Sequence, residues 1–354
     1  MNQILNSFQL DTPVASCERY GCGHVNETYL VVSESGRRYI LQKISTRAFH
    51  DVPALMQNII SVTQFLREKT ADPRGVLTLV STVDGEFYLH HADGTYWRMY
   101  DFVEDAVCLQ APETPEDFYQ SALAFGNFQQ LLTDFPAETL SETIPMFHNT
   151  VNRYKIFKET LAADPMGRAA SVKEEIEFAL AHETEAATLV EQQASGLLPT
   201  RVTHNDTKLN NVMLDAATKK ALCVIDLDTI MPGLSLYDFG DSIRFGAATA
   251  AEDETDLSKV EMSLELFRTY TRGYLTACPG LTDQEKKMMP MGAKLMTLEC
   301  GVRFLTDYLD GDHYFKIHRE NHNLDRCRTQ FKLVADMEKK WADMAAIVEE
   351  ESKA

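Results

Sequence analysis

The stretch Val202-Thr203-His204-Asn205-Asp206-Thr207-Lys208-Leu209-Asn210-Asn211 puts a His, an Asp two residues later and an Asn five beyond that into one short polar loop. An apolar lead-in precedes it and the run Val212-Met213-Leu214 comes after it. A second apolar run, Ala221 to Ile225, ends in Asp226-Leu227-Asp228. Alone, His204-Asn205-Asp206 reads equally well as a polar turn before a strand. Taken with Asn211 and Asp226, the set supplies one carboxylate to receive a hydroxyl proton, then an Asn and an Asp to hold magnesium, which is what phosphoryl transfer requires. In that reading Asp206 is the catalytic base and Lys208 neutralises charge on the transferring phosphoryl group. Asn211 and Asp226 are the metal ligands. Asp228 stays open between a second ion and a plain loop carboxylate.

The two apolar runs form a hairpin across 215–220. Pairing Leu214 with Ala221 sets Asn211 opposite Val224, about two positions from Asp226, so both side chains can share one ion. A slip of one residue would spoil that facing.

Toward the N-terminus, residues 19–34 read as a strand, a glycine turn and a second strand. The turn Gly21-Cys22-Gly23-His24-Val25-Asn26 fits G-x-G-x-x-N, whose glycines let the backbone approach phosphates. No helix comes next, as a Rossmann turn would need, and there is no Gly-Lys-Ser/Thr of a P-loop. Gly21, Gly23 and Asn26 are therefore candidate nucleotide contacts. A strand over Arg38 to Ile44 is followed by a helix from Pro53 to about Lys69 with Leu55, Ile59, Val62 and Leu66 on one stripe. Residues 75–102 read as a three-stranded meander with turns at Val83-Asp84-Gly85 and Ala92-Asp93-Gly94.

From Pro115 the texture is helical, over 117–133, 151–163, 172–196, 255–276, 283–309 and 326–352. In the last stretch Val334, Met337, Trp341, Met344 and Val348 make a seam of about two heptads, short for a coiled coil and suited to packing on the chain's own helices. The hairpin is the only β-like region expected in this part. Asp238-Phe239-Gly240 lies 27 residues past Asn211 and beyond the hairpin, too far along for the metal role, so Asp238 reads as a structural carboxylate bracing the catalytic loop, with a substrate contact as the alternative. The expected fold class is α+β, a bilobal protein-kinase-like fold with a β-rich small lobe (1–104) and a helical lobe (105–354).

A formal net charge of −19 argues against nucleic acid or an anionic membrane as partner. The seven cysteines are scattered, with no Cys-x-x-Cys pair, which reads as buried thiols in a reducing compartment. The start of the chain lacks a basic region followed by an apolar core, and no apolar run approaches membrane length. A cytoplasmic protein is expected, a monomer with a homodimer left open.

These motifs, G-x-G-x-x-N, then H-x-D-x-x-x-x-N, then I-D-x-D, resemble the aminoglycoside phosphotransferase and choline kinase superfamily. Within it, RVTHNDTKLNN, IDLDTIMPG, DFGDSIRFG and ECGVRFLTDYLDGDHYF are similar to the bacterial N-acetylhexosamine 1-kinases. The resemblance implies ATP and Mg2+, and phosphorylation of the anomeric C1 hydroxyl of N-acetylglucosamine or N-acetylgalactosamine. It implies Asp206 as base and Asn211 and Asp226 on magnesium. It also implies sugar contacts from His24, Arg244, Phe245, Arg303 and Tyr314, and a hinge at Tyr100–Glu104 whose backbone, at Asp101 and Val103, holds adenine.

One departure stands out. Where kinases place the ATP-binding strand lysine this chain has Gln42, with Lys43 on the opposite face, and the helix after that strand has Met56, Gln57 and Asn58 in place of a Glu partner. Either Gln42 hydrogen-bonds the phosphates or a shifted register brings Lys43 in. Acceptors such as an aminoglycoside, homoserine or another hexose remain open. So does a non-catalytic relative using the terminal seam as an interface.

Overall fold

A short α1 (Asn2–Leu5) precedes β1 (Val14–Arg19), β2 (Glu27–Ser33), β3 (Arg38–Ile44), α2 (Val52–Lys69), β4 (Leu89–His90) and β5 (Tyr96–Asp101). This is a computed structural model, which describes residues 1–21 and 25–353; Cys22, Gly23 and His24 lie outside the described residues. The five strands form one antiparallel sheet in the order β1-β2-β3-β5-β4. Val31, Leu41 and Met99 are fully buried on one face, over Ile4, Leu5 and Phe8. Asp51 caps α2 by accepting from the Ala54 N–H, with Pro53 in the first turn, and Leu55, Ile59, Val62 and Leu66 are buried as their spacing predicts.

Two expectations here need correcting. The first strand ends at Arg19, where it was expected to begin. The segment 75–102 yields β5, a two-residue β4 and an isolated bridge between Leu79 and Tyr100, not three full strands. Both expected turns form, with Gly85 and Gly94 at φ +88° and +84°, but so close together that little chain is left to pair between them.

The rest of the chain runs β6 (Ala106–Cys108), α3 (Pro115–Leu131), α4 (Thr150–Ala163), α5 (Lys173–Ala181), α6 (Glu183–Ala186), α7 (Thr188–Ala194), β7 (Arg201–Thr203), β8 (Val212–Asp215), β9 (Ala221–Val224), β10 (Met231–Gly233), α8 (Ser235–Gly246), α9 (Leu264–Ala277), α10 (Asp283–Asp310), α11 (His322–Lys339) and α12 (Trp341–Glu351). The molecule is thus α+β, with a β-sheet N-terminal part and a helical C-terminal part. The hairpin gains a third strand, β6, and β10 pairs with β7. The helix expected over 172–196 is three short ones, broken at His182 and at Ala187, and at the second break the Ala186 carbonyl accepts from the Thr150 hydroxyl. The terminal seam breaks at Lys340. Its residues Val334, Met337, Met344 and Val348 are buried, and α12 packs on α9 and α10 of the same chain.

The helix unforeseen in the sequence is α8. Its residues SLYDFGDSIRFG include two glycines and poor helix formers, and although Leu236, Phe239 and Ile243 recur at helical spacing, the polar residues between them are buried too. It crosses α10 at glycines: a Cβ on Gly240 would collide with the Gly292 carbonyl oxygen and lie 2.6 Å from Met296 Cγ. Gly240→Ala should therefore cost about 1–3 kcal/mol, as overpacking does. Thermal melting should show the loss. A variant melting with the wild type would refute the close approach.

Candidate active site

β7 delivers the catalytic loop. Asn205, at φ +65°, turns the chain in a left-handed conformation that Asn tolerates, and its Nδ2 donates to the Thr229 carbonyl at 2.8 Å. Asp206 is next, with Lys208 Nζ 2.7 Å from its Oδ1. Burial works against the Lys208 charge, but Asp206 and Asp241 more than offset it and raise its pKa. A turn over Leu209–Asn211 brings Asn211 back, where its Nδ2 donates to the Asp206 carbonyl at 2.8 Å and to Oδ2 at 3.1 Å. His204 Nε2 donates to the Ile225 carbonyl at 2.8 Å, while Nδ1 accepts from the Asp206 N–H at 3.3 Å. One ring thus ties Asp206 to the residue before Asp226.

The hairpin register is one residue tighter than expected. Leu214 faces Ala221, but Val212 faces Val224, with a bulge between Met213 and Leu214. The Ile225 N–H then donates to the Asn211 carbonyl at 2.9 Å. The bulge takes up the extra residue and brings Asp226 closer to Asn211 than a regular ladder would. Asp226 itself is left-handed, at φ +58°. Among the described residues its carboxylate makes no hydrogen bond. Although the residue opens on solvent, its enclosure and then the charges of Asp228 and Asp206 push its carboxyl up to about 6. The Asn211 amide nitrogen is spent on Asp206, which leaves its oxygen free. A free amide oxygen beside an uncompensated carboxylate fits a divalent cation. The other possible ligand cluster among the described residues, His182, Glu185 and Glu338, already holds Lys294 at 2.7 and 2.8 Å from the two carboxylates.

α8 fixes this loop from behind. Asp238 accepts the His204 N–H at 2.9 Å and the Asn205 N–H at 2.8 Å, and Gln129 Nε2 donates to it at 2.8 Å. Asp241 accepts the Thr207 N–H at 3.1 Å, and Ser242 donates to the Thr207 carbonyl at 2.8 Å.

On the sheet side the register is unshifted, with Thr28 facing Gln42 and Glu27 facing Lys43. Gln42 is turned to Thr28 and to Arg98, and Lys43 lies 3.4 Å from Glu27. Arg98 on β5 pairs with Asp228 at 2.5 Å. Asn26, expected on the nucleotide, donates to Asp228 at 2.5 Å and accepts from the Ser45 N–H. Gly21 sits at φ +76°, where a side chain would be strained, while Gly23 and His24 fall outside the described residues. At the hinge the Asp101 carboxylate pairs with Arg37 at 2.7 Å, and the Val103 N–H and C=O have no partner among the described residues.

On the other flank Arg303 Nη2 donates to Tyr314 Oη at 3.3 Å and Nη1 lies 3.9 Å from Glu299. Glu299 accepts from His148 at 3.0 Å, and the other His148 nitrogen reaches the Asn205 carbonyl at 3.3 Å. Arg303 and Tyr314 are thereby joined to the catalytic loop. Arg244, in contrast, is committed to Asp241 at 2.9 Å and Glu252 at 2.6 Å, with Phe245 half-buried beside it. Sequence reasoning missed Arg98, His148, Glu299 and Asp241. Only Arg98 carried a signal, as a charge inside the apolar strand Tyr96–Tyr100, where it needs a partner.

A carboxyl whose folded pKa lies above the unfolded 3.8 costs stability once ionised, so the penalty is absent at low pH and grows as pH rises to about 6. In chelator, Asp226→Asn should melt with the wild type near pH 4 and above it from pH 6 upward. A gap independent of pH would contradict this.

The chain matches the phosphotransferase enzyme family over residues 16–274. A microcompartment-associated aminopropanol kinase superposes with a TM-score of 0.65 at 18% identity, over 97% of each chain. Amicoumacin kinase hAmiN in complex with AMP-PNP and Ca2+ gives 0.60 at 13% identity, over 94% of this chain and 90% of that one. Choline kinase from Cryptosporidium parvum gives 0.57 at 12% identity, over 94% and 91%. The chain belongs to the phosphotransferase enzyme family and shares the fold of these kinases.

Proposed function

We propose that the chain transfers the γ-phosphoryl group of ATP to the anomeric C1 hydroxyl of an N-acetylhexosamine, N-acetylglucosamine or N-acetylgalactosamine. The observation that carries this reading is the wall beside the catalytic loop. Arg303 lies over the rings of Phe147, Tyr314 and Phe315 at 5.2–5.5 Å, and Tyr314 is 64% exposed. Glu299 behind them keeps one carboxylate oxygen without a partner. Aromatic faces suit the C–H surface of a sugar ring, and a guanidinium with a carboxylate suits its hydroxyl and acetamido groups. Arg153 stands close by: burial, then the charge of Arg303, pushes its pKa down. Two guanidiniums against Glu299 disfavour a cationic acceptor, which an amine-bearing substrate would be. The similarity of RVTHNDTKLNN and DFGDSIRFG to N-acetylhexosamine 1-kinases points the same way.

In this reading Asp206 accepts the C1 hydroxyl proton as the oxygen attacks phosphorus in line. The bond to the β-bridging oxygen breaks and ADP leaves. Lys208 holds Asp206 in place and offsets charge on the moving group. The Val103 backbone is free to meet adenine. A magnesium ion on Asn211 and Asp226 would neutralise phosphate charge.

ADP release measured side by side with N-acetylglucosamine, N-acetylgalactosamine, galactose and kanamycin should show turnover with the two N-acetylhexosamines. A clear preference for kanamycin or galactose would overturn the sugar assignment. Asp206→Asn should lower kcat by roughly 10²-fold or more while ADP still binds. Arg303→Met should raise KM for the sugar and leave KM for ATP near the wild-type value.

A further inference from the structure

Asp228, two residues beyond Asp226, stands where a second metal ligand would be expected, yet both its oxygens are engaged. Oδ1 lies 2.5 Å from Arg98 Nη1, a contact made by charge rather than by an aligned hydrogen bond, and Oδ2 accepts from Asn26 at 2.5 Å. Arg98 is 1% exposed. Its Nε donates to Gln42 Oε1 at 2.9 Å, and Gln42 Nε2 donates to Thr28 Oγ1 at 3.1 Å. The register explains the line: Thr28 faces Gln42 across β2 and β3, and Gln42 faces Arg98 across β3 and β5. A guanidinium buried this deeply is costly unless it is paired, and none of the catalytic steps uses it.

We propose that Arg98 is a positioning residue: a tethered cation that occupies Asp228 and so keeps the cleft to a single metal ion, held by Asn211 and Asp226. The same contact ties the strand after the glycine turn to the metal loop through Asn26. This rests on the reading of Asn211 and Asp226 as metal ligands. The departure at Gln42 then has a purpose, since a lysine there would displace the acceptor that orients Arg98. Removing the guanidinium leaves Asp228 beside Asp226 and Asp206 with no counter-charge, and a second cation is the ready relief.

The test counts Mn2+ bound to the full-length, nucleotide-free chain by the paramagnetic resonance of free Mn2+. The wild type should bind one ion in the cleft. Arg98→Met should bind two, the second at least ten-fold more tightly than any second ion on the wild type. Arg98→Lys, which keeps the charge, should bind one, and adding Asp228→Asn to Arg98→Met should return the count to one. Asp228→Asn alone should keep wild-type count and affinity, and it decides the matter if Arg98→Met does not fold. A ten-fold weaker ion in Asp228→Asn, or an unchanged count in a folded Arg98→Met, overturns the proposal. Asp226→Asn separates the two layers. If it leaves Mn2+ binding intact, the ligand reading fails; if it abolishes binding while Arg98→Met stays at one ion, only the role of Arg98 fails.

Discussion

Two backbone N–H groups converging on the Asp238 carboxylate are the constraint on which the site depends. His204 and Asn205 would otherwise leave their donors unpaired inside the protein, and a left-handed Asn205 would have little reason to persist. With both donors anchored, Asp206 is presented at a fixed angle and Asn211 can fold back onto it. The anchor is sound only because α8 meets α10 glycine to glycine, close enough that their backbones nearly touch. A helix–helix contact thus sets the position of a carboxylate some thirty residues away in sequence.

Residues close together in sequence were the ones most legible from it. Asp206, Lys208, Asn211 and Asp226 lie within one loop and the hairpin beside it, so local spacing suffices to bring them together. Even there a bulge shifted the register, because apolar alternation does not say where an extra residue is absorbed. Asp238 was readable as a brace from its distance along the chain. The helix carrying it was not, since its two glycines and its Ser and Asp residues are weak helix formers that mask the short stripe of Leu236, Phe239 and Ile243. Arg98 and Glu299 depend on strand and helix neighbours that no local pattern names.

The acidic character of the whole chain says little about the cleft. Its metal loop gathers Asp206, Asp226 and Asp228, while the wall on the other flank gathers Arg153 and Arg303. Charge is thus sorted by sign on the two flanks of the loop that carries Asp206. A net charge of −19 sums over the whole chain and cannot show that sorting.

Helix α2 occupies the place where kinases carry a helix whose swing governs activity. Here Asn58 on that helix donates to the carbonyls of Ser141 and Ile230 and accepts the Ser141 N–H. Its apolar stripe shares one core with Phe128, Leu132, Leu227 and Ile230 from the helical part. Swinging it outward would break three hydrogen bonds, the one to Ile230 fully buried, and open that core to water. The helix is thus pinned to the helical part by the same core that surrounds it, so movement of one carries the other.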